Sequence, residues 1–196
     1  PPRNAPPAYA ELYDPDTMRL RSNVLAERAR ATREALVGYY GLCSAVDASL
    51  GRLLHALDNA GLAEDTIVVY TTDHGEMLGE HQFMGHGFGV YQELIHVPLL
   101  IRLPGQTQGQ TRSEPCSTRR LFHTVLDVAG MSTVETHYGR TVDVHDQSLL
   151  NEHAQDPQSQ LPIVCEAYAP EFGLTAVQNH KPALLKTLAC AQTHWA

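Results

Sequence analysis

The chain has little of what marks a nucleic-acid binder, a membrane protein or a disulfide scaffold. Basic residues are few: 14 Lys and Arg stand against 22 Asp and Glu, for a net charge of -8. They gather only at Arg28, Arg30 and Arg33 and at the pair Arg119 and Arg120, too sparsely for a general polyanion surface. Such acidity repels anions unless a local cationic centre intervenes, and a bound metal is one such centre. No apolar run approaches the roughly twenty residues that cross a bilayer; Val97 to Ile101 is among the longest. The first residues lack a basic start and a hydrophobic middle, so they do not read as a signal peptide. Cys43, Cys116, Cys165 and Cys190 lie apart without a Cys-x-x-Cys pair, and ordinary thiols are expected ahead of disulfides. No internal repeat is visible. The chain opens on Pro1 and Pro2 without an initiator Met, and a piece of a longer protein is one expectation. Its location stays open between the cytoplasm and periplasm of a bacterium.

What is present suits a packed α/β domain. At 196 residues and 43% hydrophobic, the chain can bury a real core. Prolines over residues 1–18 predict an extended surface arm. From Ser22 to Tyr40 good helix formers dominate, and from Ser44 to Ala60 Val46, Leu50, Leu53, Leu54 and Leu57 make one apolar stripe. Gly41 marks either a break between two helices or a bend in one, and Gly61 suits a left-handed cap. Ile67 to Tyr70 is a continuous β-prone run, so helix, short loop and apolar strand read as a unit of a sheet covered on both faces. Val97 to Leu103 is a second buried-strand candidate, stopped by Pro104 and Gly105. Gln106 to Pro115 reads as a surface loop. Leu121, Phe122, Val125, Leu126 and Ala129 line one face of a helix closed by Gly130. Val134 to Gln160 is expected to be mostly loop. Leu161 to Tyr168 and Gly173 to Gln178 are expected to pair as strands, with Leu184 to Leu188 a further strand or short helix.

Chemistry concentrates after the first strand. Asp73, His74, His81 and His86 fall within fourteen positions, on a loop spaced by Gly75, Gly79, Gly85, Gly87 and Gly89. A carboxylate at a buried strand's end is costly to desolvate unless paired or bound to a cation, which makes Asp73 the leading metal-ligand candidate and His74 its neighbour. Oxygen plus imidazole suits zinc or manganese, whereas an oxygen-rich remainder suits calcium or magnesium. His86, between two glycines, reads as an anion-binding, metal-binding or proton-donating group. His81 reads equally as a surface or a site residue. Glu76, Glu80 and Glu93 are expected to be solvated or in local salt links, and His96 to be structural. Cys116, three residues before Arg119, invites a nucleophile reading, but no phosphate-cradling loop accompanies it and the ordinary thiol prevails.

Four segments together, VDASLGRLLHALDNAGL, IVVYTTDHGEMLGEHQFMGHG, YQELIHVPLLIRLPG and LFHTVLDVAG, resemble the sulfatases of the alkaline-phosphatase-like superfamily. The resemblance is specific over about Val46 to Gly130. It implies part of a mixed sheet flanked by helices, with a small C-terminal antiparallel β region. It divides the chain into 1–130, part of the sulfatase-like α/β domain, and 131–196, a loop-rich subdomain. It implies that Asp73 and His74 are metal ligands, with Glu76 and His81 behind them. His86 stands where relatives carry a Lys or His that touches sulfate or phosphate oxygens. The metal implied is calcium, or manganese or zinc where the substrate is a phosphorus ester. The family's nucleophile, a Cys-x-Pro-Ser-Arg cysteine or a Ser or Thr on an earlier strand, has no counterpart before Asp73. Cys116 does not replace it, since Thr118 stands where proline should be. The chain therefore reads as the C-terminal half of a sulfatase-like hydrolase, inactive alone, whose partner is the missing N-terminal half or a second copy. Its substrate would be a small-molecule or saccharide sulfate ester. Two alternatives stay open: a phosphonate or phosphate ester hydrolase, and a non-catalytic metal-binding or interaction module.

Overall fold

The computed structural model describes residues 4–86, 89–113, 115–151, 163–165 and 189–191. Its chain forms two compact units, Pro1–Gly109 and Gln110–Ala196. The architecture is α/β, with small antiparallel sheets flanked by helices, as the sequence predicts.

In the first unit a one-turn helix, α1 (Pro7–Ala10), precedes the long helix α2 (Ala29–Asn59). The N-terminal segment is therefore not simply an extended arm. A Cβ on Gly41 would come within 2.6 Å of the Ala5 Cβ and 3.2 Å of the Ala10 backbone, so the missing side chain lets α1 lie against α2. The Tyr13 hydroxyl shares a 2.7 Å hydrogen bond with the Ser44 hydroxyl, and its ring meets Tyr40 edge-on. Gly41 thus neither breaks nor ends the helix; 31 residues run through it, because packing offsets the glycine's poor propensity. The end falls where expected. Gly61 takes φ +67°, its N–H reaches the Asp58 carbonyl, and the Leu62 N–H reaches that of Leu57. This is the paired-bond left-handed cap that satisfies the last carbonyls of a helix.

Strand β1 (Val68–Thr71) follows, but its partner is antiparallel: β4 (Leu99–Arg102), in register Val68↔Arg102 to Thr71↔Leu99. Between them lie the short hairpin β2 (Met77–Leu78) and β3 (Met84–Gly85) and the one-turn helix α3 (Gln92–Ile95). The core sits under this hairpin, where Leu36, Met77, Leu78 and Leu94 are buried. The two-strand ladder is not covered on both faces: Val69 is 40% exposed and Leu100 59%. Likewise only part of the α2 stripe is enclosed. Leu50 and Leu54 line a groove of 470 Å³ with Val68, Tyr70 and Leu100, while Val46 and Leu53 face solvent.

In the second unit α4 (Arg120–Val128) ends at Gly130 with the same cap as α2. It does not bury the predicted face, since Phe122 and Val125 are more than half exposed and Thr124 is buried. The reason is polar. Arg120 donates to the Gln147 and Ser148 carbonyls, and the Thr124 hydroxyl accepts the Leu149 N–H. Within 134–151 the chain holds more regular structure than a loop, while 152–160 lie outside the described residues. Strands β5 (Thr133–Glu135) and β6 (Thr141–Asp143) pair antiparallel, and α5 (Val144–Gln147) follows, with Val144 and Ser148 fully buried. Near the end β7 (Ile163–Cys165) pairs antiparallel with β8 (Ala189–Ala191). The segments Gly173 to Gln178 and Leu184 to Leu188 lie outside the described residues.

Asp127 ties α4 to α5 and the residue after it, through His145 and Ser148. The Ser148 hydroxyl hydrogen bond first, then His145, hold its carboxyl below the ordinary carboxylate range. A depressed carboxylate contributes stability that is present above its unfolded value and lost as pH falls through its folded one. Asp127→Asn is therefore expected to cost about 1 kcal/mol at neutral pH, and the difference from wild type should vanish at strongly acidic pH. Urea melts at several pH values check this; an equal deficit at every pH would refute it.

Candidate functional site

The site is built where β1 runs out. The Thr72 hydroxyl donates to the Asp73 Oδ1 (3.2 Å) and is also in range of the His74 carbonyl (3.1 Å), and the His74 N–H donates to the same Oδ1 (2.9 Å). Those bonds, the backbone N–H first, keep the Asp73 carboxyl below its ordinary value and leave Oδ2 unused by them. The His74 Nδ1 stands 2.7 Å from the Gly75 carbonyl, which can only accept. A proton on Nδ1 completes that contact, and Nε2 lies 3.8 Å from the Asp73 Oδ2. This is the ring orientation that a backbone carbonyl commonly imposes on a metal-binding histidine.

The sequence argument from desolvation does not hold for Asp73, whose side chain is 84% exposed. Its two-residue step out of the ladder carries the carboxylate into water rather than into the core.

His86, just after β3, returns to the same place. Its Nδ1 lies 2.9 Å from the Glu76 Oε2, and its ring packs against that of His74 with centroids 4.3 Å apart and planes at 34°. A carboxylate on Nδ1 leaves Nε2 as the working nitrogen. Glu76 is no solvated acid: its side chain is 15% exposed. The half-buried Tyr39 hydroxyl has its pKa raised by burial first, with the Glu76 charge a contributor. The loop can turn this tightly because Gly75 gives its N–H to the Leu94 carbonyl at 2.8 Å and lies directly against the Glu93 carbonyl.

His81 goes elsewhere. At φ +51° it occupies the hairpin tip with Gln82 (φ +70°), stacks on Tyr91 at 4.4 Å, and places Nε2 near the Asn23 amide and the Glu93 carboxylate. Glu80 and Glu93, read from sequence as solvated or locally paired, are both enclosed, with side chains 8% exposed. Glu80 Oε2 accepts the Leu78 N–H, and Arg21 reaches both acids. Sequence reasoning missed Arg21 and Asn23, since nothing local links them to a loop some sixty residues away.

Among the described residues, no three His, Cys, Asp or Glu side chains group to hold a metal ion. Asp73 and His74 supply one carboxylate oxygen and one imidazole nitrogen. That pair fits two positions of a divalent-cation shell, and its nitrogen suits manganese or zinc better than an all-oxygen calcium site. No helix among the described residues is long and apolar enough to cross a membrane.

Residues 2–131 match the sulfatase family. Over 173 residues the chain is 34% identical to an ulvan-active sulfatase of Formosa agariphila, a match covering 87% of this chain and 33% of that protein. Over 116 residues it is 34% identical to Homo sapiens arylsulfatase K, covering 59% of this chain and 22% of the relative. Among solved structures, a phosphonate monoester hydrolase from Silicibacter pomeroyi is similar at TM-score 0.57 and 27% identity, over 82% of this chain and 30% of its own. The chain spans a third or less of the length of these relatives. The family match corrects the expectation of a C-terminal half that pairs with a missing N-terminal half. It lies on 2–131, the N-terminal two thirds of this chain, and not on its C-terminal part.

Proposed function

Because this chain belongs to the sulfatase family, we propose that it serves the hydrolysis of sulfate esters, with Asp73 and His74 holding a divalent cation and His86 meeting the ester's nonbridging oxygens. The observation that carries this is the adjoining His74 and His86 pair, rings tilted at 34° with centroids 4.3 Å apart, each with Nδ1 already engaged and Nε2 turned to the site. The cation, when bound, supplies positive charge against the oxygens of the transferred group. The His74 backbone N–H first, then the Thr72 hydroxyl, favour the ionised Asp73 carboxylate that would face that charge. When protonated on both nitrogens, His86 keeps Nδ1–H on Glu76 and donates its Nε2–H to an anionic oxygen or to the departing one. No residue of this chain is assigned as nucleophile.

A second reading, phosphonate ester hydrolysis, draws on the likeness to the Silicibacter pomeroyi enzyme. A sulfate monoester and a phosphonate monoester are both tetrahedral and singly charged, so one such site accommodates either. Calorimetry separates the readings. The protein is loaded with calcium or manganese and titrated with sulfate or methylphosphonate. Sulfate binding is expected to need the cation and to weaken about tenfold in His86→Ala, the loss of one charge-assisted hydrogen bond. A preference for methylphosphonate selects the second reading, and binding indifferent to both cation and His86 overturns the first and the second.

A further inference from the structure

The loop from Asp73 to His86 has two walls, and one side chain from far upstream touches both. Glu80 belongs to the hairpin: its Oε2 takes the Leu78 N–H at 2.6 Å, its carbonyl takes the Phe83 N–H at 2.9 Å, and its backbone bridges to Val24. Glu93 belongs to α3, where its carbonyl lies against Gly75 and the next carbonyl, that of Leu94, accepts the Gly75 N–H. The Arg21 guanidinium stands 3.5 Å from the Glu80 Oε1 through Nε and 3.4 Å from the Glu93 Oε1 through Nη1. The arginine side chain is 64% exposed and each glutamate 8%, so it covers two enclosed carboxylates from the solvent side.

We infer that Arg21 is a positioning residue for the candidate site, a clamp whose single guanidinium joins the His86 hairpin to the helix that holds the Asp73–Gly75 turn. A planar fork with several donors can serve two carboxylates at once, which an ammonium point charge does less well. Without it, two enclosed carboxylates lose the cation they share, and Glu93 keeps its contact with the His81 Nε2 at 3.7 Å on the hairpin tip. The hairpin then gives, and His86 leaves its place beside Glu76 and His74. Asn23, two residues on, adds a contact to His81 at the hairpin tip (3.2 Å), so the 21–24 segment as a whole straps the loop.

The inference rests on the sulfate-ester reading only for what the site does, and the test separates the two. Arg21→Ala and Arg21→Lys are compared with wild type by thermal melting, by the imidazole Nδ1–H signal of His86 in proton–nitrogen NMR, and by cation-dependent sulfate titration. Arg21→Ala is expected to keep its helical circular dichroism, lose the His86 Nδ1–H signal that wild type shows, and bind sulfate about tenfold more weakly. Arg21→Lys should restore part of the signal and part of the affinity. If Arg21→Ala does not fold, Arg21→Gln, which keeps a polar stem without the charge, carries the same readouts. A lowered melting temperature with the His86 signal and sulfate affinity unchanged makes Arg21 merely structural and overturns the inference. Loss of the signal in a protein whose wild type never binds sulfate leaves the clamp standing and removes the functional reading instead.

Discussion

Gly75→Ala is expected to lower stability by about 3 kcal/mol, at the upper end for overpacking substitutions. The methyl group has nowhere to go. It would overlap the Glu93 carbonyl oxygen, with the Glu93 carbonyl carbon 2.9 Å away and the Leu94 Cα at 3.3 Å, all of them backbone atoms that cannot swing aside. Relief requires the turn to move off α3, which breaks the 2.8 Å bond from the Gly75 N–H to the Leu94 carbonyl. For a chain of this size the melting temperature should fall by roughly 6–12 °C. Because Gly75 sits between His74 and Glu76, cation and anion binding should fall with it. Thermal and urea unfolding give the number. A cost below about 1 kcal/mol would mean that the turn is looser than its contacts indicate.

Asp73→Ala is expected to abolish cation binding, or at least weaken it more than about 100-fold, since a direct ligand should exceed the 10–100-fold typical of groups behind the ligands. Here the effect on folding should be small, because the side chain is 84% exposed and its hydrogen bonds are to its immediate neighbours. Binding and stability are thereby separated in one variant: affinity collapses while the melting curve barely moves. His74→Ala should behave similarly but leave the charged oxygen, so its loss should be smaller. Calorimetry with calcium and with manganese measures both. Unchanged affinity in Asp73→Ala would remove it from the ligand set and place the bound cation on other residues.

Features set by local physics were legible in the chain before any coordinates. The β-prone run Ile67 to Tyr70 marks the strand observed at Val68–Thr71, Val97 to Leu103 yields its partner, and the glycines at 61 and 130 close the helices they follow. Asp73, His74 and His86 stand out as candidates because a short glycine-spaced loop concentrates them, and the structure places the His74 Nε2 3.8 Å from the Asp73 Oδ2 and its ring 4.3 Å from that of His86. What was not legible depends on partners distant in sequence. Whether Gly41 breaks a helix depends on Ala5 and Ala10 arriving against it. Whether Glu80 and Glu93 are solvated depends on an arginine 59 and 72 residues upstream. The face that α4 buries was misjudged because Thr124, a polar residue, is recruited by the Leu149 N–H, which periodicity cannot show. Asp73's own exposure was missed for the opposite reason: a strand's apolar run says where the strand is buried, not where its next residue points.

That exposure has a consequence for how any ion would reside here. A cation on Asp73 and His74 would keep water on most of its coordination positions and exchange quickly with bulk solution. Background electrolyte would compete for the carboxylate and shorten the reach of its field to about 8 Å at physiological ionic strength. Discrimination among metals would then fall to the softer donor, the imidazole nitrogen, while sodium and magnesium in the buffer set the occupancy.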